Sequence, residues 1–195
     1  MNILTDYLPS SVKVGNTEFE LETDFRAGVS FSLMVEAGES DILKLCSPFF
    51  PNGLPLDISG AVEAVLYFFR GGEKIEDNAP KSNKQAYSFN VDSEAIYADF
   101  WRYYNIDLSQ DSLHWWTFRS LLMGLPEDSN FKMRIYYRTC NLKDLPKKEQ
   151  KRIANIRKQI EIKTTEKDGK LTLEQRNKQM LDYVKKRGNE TKGVE

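Results

Sequence analysis

The feature that most constrains this chain is where its aromatic residues stop. Of 11 Phe, 3 Trp and 9 Tyr, only Tyr183 lies beyond residue 140. Large rings supply much of the apolar area that a small core must bury, so the core has to be built from residues 1–140. Charge divides the chain at the same place. Residues 1–140 carry 12 Lys+Arg against 20 Asp+Glu, net −8, and residues 141–195 carry 16 against 9, net +7. A total of 195 residues suits one well-buried core and an appendage. The expected organisation is a helical core domain, 1–140, followed by a basic, charged helical extension, 141–195, that can stay partly disordered when nothing covers it.

Periodicity predicts a mainly α protein: a helical bundle-like body with a short N-terminal β-hairpin at about 11–21 and the basic extension. Val12 and Val14 alternate with polar neighbours, Gly15-Asn16 supplies a turn, and Thr17 to Leu21 alternates again. Thr23 or Asp24 caps a helix through about Ala37, with Phe25, Val29 and Leu33 as its apolar stripe. Ser40 to Phe50 reads as two helical turns stopped by prolines. Asp57 or Ser59 opens a helix with Val62, Val65, Leu66 and Phe69 on one face, ended by Gly71-Gly72. Lys74 to Gln85 reads as a polar loop.

The stretch Ala86 to Asp128 is the most informative. Asp92 or Ser93 is expected to cap a helix carrying Ile96, Phe100 and Tyr103 or Tyr104, closed by Asn105. After Ile106-Asp107-Leu108-Ser109, a second helix from near Ser112 carries Leu113, Trp116 and Leu121 to Gly124 or Leu125. Together they predict an aromatic helical hairpin over 93–125. A further helix over 129–140 packs Phe131, Ile135 and Tyr136. Within the extension, Ile153, Ile156 and Ile160 make a narrow stripe on a charged helix, and Leu173, Met180 and Val184 support another.

Chemistry is hard to find. His114 is the single histidine and reads as a packing residue within the aromatic helix. Zinc and hydrolase motifs are missing, and Gly71-Gly72 is followed by Glu73 rather than by a phosphate-loop Lys-Ser/Thr pair. Asp92 with Glu94, and Asp107 with Asp111, sit where helix N-termini favour negative charge, and capping explains them. No catalytic, cofactor-binding or metal-ligating residue is assigned, and the expectation is a non-enzymatic protein that binds another protein. Cys46 and Cys140 are expected as reduced, packed thiols. No apolar run reaches the roughly 20 residues that cross a bilayer, and the opening residues do not read as a signal peptide, so a cytoplasmic location is expected. The basic extension invites a nucleic-acid reading, but it lacks stacking aromatics and mixes in Glu149, Glu161, Glu174 and Asp182. An acidic protein partner, or a second copy of the chain, fits it better.

The stretches Thr23-Asp24-Phe25-Arg26, Tyr87-Ser88-Phe89, Ile106-Asp107-Leu108, Leu113-His114-Trp115-Trp116-Thr117-Phe118-Arg119-Ser120-Leu121-Leu122 and Leu125-Pro126-Glu127-Asp128 resemble the bacteriophage gp-fifteen family. The similarity runs in order from the opening residues to about residue 160. It implies a protein of long-tailed phages and prophages of low-GC Gram-positive bacteria, encoded in the tail module beside the tape-measure gene. Proteins in that position are usually regarded as tail assembly chaperones, which keep the tape-measure protein soluble until tail tube subunits polymerise around it. Two alternatives remain: a structural component retained in the tail, and a nucleic-acid-binding protein acting through the extension. The resemblance defines no site residues. The residues themselves point to Trp101, Trp115, Trp116, Phe118 and Arg119 as candidates for protein binding. One helical turn cannot aim Trp115, Trp116 and Phe118 in one direction, so at least one of them is expected to face a second surface.

Overall fold

The computed structural model of the chain describes residues 2–73 and 85–162. The expected loop over 74–84 and the helix carrying Leu173, Met180 and Val184 lie outside the described residues. The body is mainly α, with seven α-helices and one two-stranded antiparallel hairpin among the described residues. In the hairpin, β1 (Ser11–Val14) pairs with β2 (Thr17–Glu20), and Gly15 takes the positive φ of +61° that the turn requires.

Helix α1 (Phe25–Glu36) starts from Asp24, whose carboxylate accepts the Arg26 N–H. It buries Phe25, Gly28, Phe31, Ser32 and Val35, so its inner face is rotated from the expected stripe and Leu33 is exposed. A short helix α2 (Ile42–Cys46) runs into a 3-10 turn, Ser47–Phe49. Asp57 caps α3 (Ile58–Phe69), where Val62, Val65, Leu66 and Phe69 are buried as the spacing predicts.

The start of α4 (Phe89–Tyr104) differs from expectation. Ser88 is its cap: the hydroxyl accepts from the Asn90 and Val91 N–H groups and donates to Glu36 of α1 at 2.6 Å. Asp92 is fully buried inside the first turns, where it accepts the Ser88 N–H and pairs with Arg134 and Arg138. Long-range ion pairing, which local sequence does not display, is what draws it in. Asn105, in the left-handed conformation at φ 54°, ends the helix as expected.

Helix α5 (Trp115–Met123) is followed by α6 (Asn130–Thr139), capped by Ser129. Asp99 of α4, also buried, accepts from the Asn130 and Phe131 N–H groups and so satisfies the α6 N-terminus from a neighbouring helix. Phe131 is buried, whereas Tyr136, expected to pack, is exposed. After a 3-10 turn, Leu142–Asp144, helix α7 (Lys147–Gln159) packs on α6 through Ile153, and Ile160 just beyond it is also buried.

Packing runs from the hairpin to α3, then α2, α1, α4, α6 and α7, with α5 laid on α1. The expected α4–α5 hairpin is thereby corrected. Asp24 and His114 form an antiparallel bridge, with Phe25 N–H on Leu113 O at 2.8 Å and Trp115 N–H on Thr23 O at 2.7 Å. Helices α1 and α5 therefore start side by side. What joins α4 to α5 is side chains, Phe100 stacked on Phe118 and the Tyr104 hydroxyl on Leu121 O.

Candidate protein-binding face

The aromatic helix α5 is built as a wedge. His114 is its cap and precedes the helix rather than packing within it: Nδ1 accepts the Trp116 N–H at 3.1 Å, and Nε2 lies 3.0 Å from Pro9 O. An imidazole that accepts at Nδ1 and meets a carbonyl at Nε2 is neutral, with its proton on Nε2. Burial holds its pKa below the ordinary value, although the Pro9 carbonyl pulls the other way. Asp107 and Asp111, expected as caps, instead order the preceding connector: Asp107 accepts from Ser109, and Asp111 accepts the Asp107 N–H.

Both indoles of α5 reach the C-terminus of α3, where the last carbonyls lack the usual i+4 helical donor and Phe68 O also takes the Gly71 N–H. Trp115 Nε1 donates to Phe69 O at 2.8 Å, and Trp116 Nε1 to Phe68 O at 2.7 Å. The Trp115 ring lies so close to Gly28 of α1 that a Cβ there would sit 2.5 Å from it. Phe118 stacks with Phe25, Phe100 and Trp115. Trp115, Trp116 and Phe118 are 2%, 5% and 1% exposed, so the expectation that one of them faces a second surface is overturned. They do point in different directions, but α1, α3 and α4 surround the helix and every direction leads inward. Arg119 is half-buried, with its guanidinium against Gly71 and charge interactions with Tyr87 and Glu73.

Trp101 alone of the five candidates is open to solvent, at 52% exposure. Helix α4 buries Ile96, Asp99 and Phe100 on its inner side and leaves Glu94, Tyr97, Ala98, Trp101 and Arg102 outside. Tyr97 and Trp101 are one turn apart and share a face, with the small Ala98 beside them. The Tyr97 hydroxyl donates to Asp107 at 3.1 Å, which ties the ring to the connector. Bonds from the Ser109 hydroxyl and N–H hold the Asp107 carboxyl below the usual range, so it stays an anion at this corner. Arg102 flanks the other side. The result is a narrow aromatic platform with charge of both signs at its edges, the chemistry suited to an amphipathic helix.

Residues 4–162 match the family described as Bacteriophage Gp15 protein. The chain belongs to that family. It is therefore a phage structural or morphogenesis protein. No curated protein and no solved structure matches it. The Gp15 match takes in every helix and strand described above, including α7, which is fastened by arginines. Arg138 donates to Asp92 of α4 and to Ile160 O after α7, and Arg157 of α7 donates to Tyr137 O and Cys140 O at the end of α6. Elsewhere in this chain, burial pushes the Cys46 thiol up to about 12, which makes it a packing group rather than a nucleophile. Among the described residues no group of three or more His, Cys, Asp or Glu could hold a metal ion, and no helix is long and apolar enough to cross a membrane.

Proposed function

We propose that this Gp15-family chain is a tail assembly chaperone that binds the tape-measure protein in the host cytoplasm and helps recruit tail tube subunits, with no catalytic step. Support comes from the family and from the resemblance of its motifs to tail-module proteins. The observation that carries the binding reading is the Tyr97–Trp101 platform on α4. A tape-measure protein is a long helical chain whose apolar stripes need cover before the tube encloses them. An exposed Trp and Tyr one turn apart, beside a small residue, offer such a stripe a rigid apolar seat at low entropic cost.

The test is co-expression with the tape-measure protein of the same phage, combined with mass spectrometry of purified particles. A chaperone brings the tape-measure protein into the soluble fraction, co-purifies with it, and is missing from finished particles. Stoichiometric presence in the particles would favour the structural tail component instead. Failure to dissolve or bind the tape-measure protein would remove the chaperone reading.

A further inference from the structure

Two oppositely charged surfaces stand at the two ends of the packing order. At one end, the hairpin and the residues on either side of it expose Asp6, Glu18, Glu20 and Glu22 against a single Lys13, net −3. The same end carries an unpartnered apolar turn. Asn2 and Asp6 close it by mutual hydrogen bonds, and Leu4 and Tyr7 stand 89% and 100% exposed. At the other end, residues 143–161 expose Lys143, Lys147, Lys148, Lys151, Arg152 and Lys158 against Asp144, Glu149 and Glu161, net +3.

Within one chain these surfaces do not meet. The hairpin packs on α3 and α7 packs on α6, with α2, α1 and α4 between them, and no hydrogen bond or ion pair joins them among the described residues. The α7 charges are also held in place rather than swinging on a loose helix, because Ile153 is buried and Arg157 is bonded to the end of α6. An apolar centre rimmed by acids, facing a rigid basic helix, has the anatomy of a protein–protein contact.

We propose that the acidic hairpin end of one copy docks on the basic α7 face of a second copy, giving a head-to-tail contact. Such a contact is heterologous: each copy keeps one free surface of each kind, so it propagates into a chain or closes into a ring. The occupant is the same polypeptide because its two surfaces are opposite in sign and equal in size of charge. Attraction between exposed charges fades with salt, as the Debye length falls from about 10 Å at 0.1 M to about 3 Å at 1 M.

Sedimentation velocity on the full chain, nuclease-treated, tests this with two charge-reversed variants. One carries Lys148→Glu, Lys151→Glu and Arg152→Glu, all exposed and none bonded to the body; the other carries Glu18→Lys and Glu20→Lys. Wild type is expected to form concentration-dependent oligomers at low salt that dissociate at high salt. Each variant alone is expected to be a folded monomer, checked by its thermal melt. An equimolar mixture restores oligomers, because every reversed surface then finds its opposite on the other variant. A monomeric wild type at low salt would overturn the proposal. So would oligomers in either variant alone, oligomers that need added nucleic acid, or a mixture of folded variants that stays monomeric.

Discussion

At the scale of single residues, two positions show how tightly the aromatic wedge is set. Gly28 is a close-approach glycine: the Trp115 ring occupies the space of its missing Cβ. Gly28→Ala must push that ring off the Phe69 carbonyl, and overpacking of this kind costs about 1–3 kcal/mol. Chemical denaturation should show that loss with an unchanged m-value. His114 gives a pH effect. Its pKa is lowered in the folded state, so its contribution is complete above the unfolded value of about 6.5 and is lost as pH falls through the lower folded value. Protonation would turn the Nδ1 that accepts from Trp116 into a donor and break the cap. The melting temperature should therefore drop as pH falls below about 6.5 in the wild type. It should drop less in His114→Asn, whose amide oxygen can cap without titrating.

At the scale of elements, the fold is tied together by buried carboxylates reaching helix ends and arginines. Asp92 joins α4 to α6 and, through Arg138, to the end of α7. Burial raises its pKa, but hydrogen bonds from Arg138, Ser88 and Arg134 outweigh that and leave it below the ordinary value. The stability it contributes is therefore present above the unfolded value of about 4 and is lost as pH falls through the folded one. Asp92→Asn leaves two guanidinium groups short of their partner and should cost about 3–5 kcal/mol, measured by denaturant titration at neutral pH. It should also flatten the acid limb of the stability curve. This tie was not legible in sequence, where Asp92 looks like any helix cap. Signals that act within a few residues were legible: the Gly15-Asn16 turn, the caps Asp24 and Asp57, each one of two alternatives, the start of α6 near Ser129, the closing Asn105, and the apolar face of α3. What escaped depends on partners far along the chain. Ser88 caps α4 with Glu36 of α1 against it, and His114 pairs with Asp24, which sets the start of α5 beside that of α1. Of the candidate site residues, Trp101 was picked for being a bulky aromatic. Only the buried pattern of α4, set by Asp92 and Asp99 as much as by Ile96 and Phe100, shows which way it faces.

At the scale of the whole molecule, the rings that mark the sequence divide into two jobs. Trp115, Trp116 and Phe118 hold α1, α3, α4 and α5 together, while Tyr97 and Trp101 lie on the outside of α4. A core ring cannot be truncated without loss of stability, commonly about 3–5 kcal/mol for a buried Trp or Phe. An exposed ring can be, since surface substitutions usually change stability by only about 0.5 kcal/mol. This separates folding from binding in a way that can be measured. The direct test is capture of the tape-measure protein by purified wild type and by the Tyr97→Ala, Trp101→Ala double variant, with thermal melts run alongside. The double variant should melt close to wild type and capture at least about tenfold less tape-measure protein, as truncating a central aromatic anchor implies. A double variant that folds and captures as much as wild type would contradict α4 as the binding face.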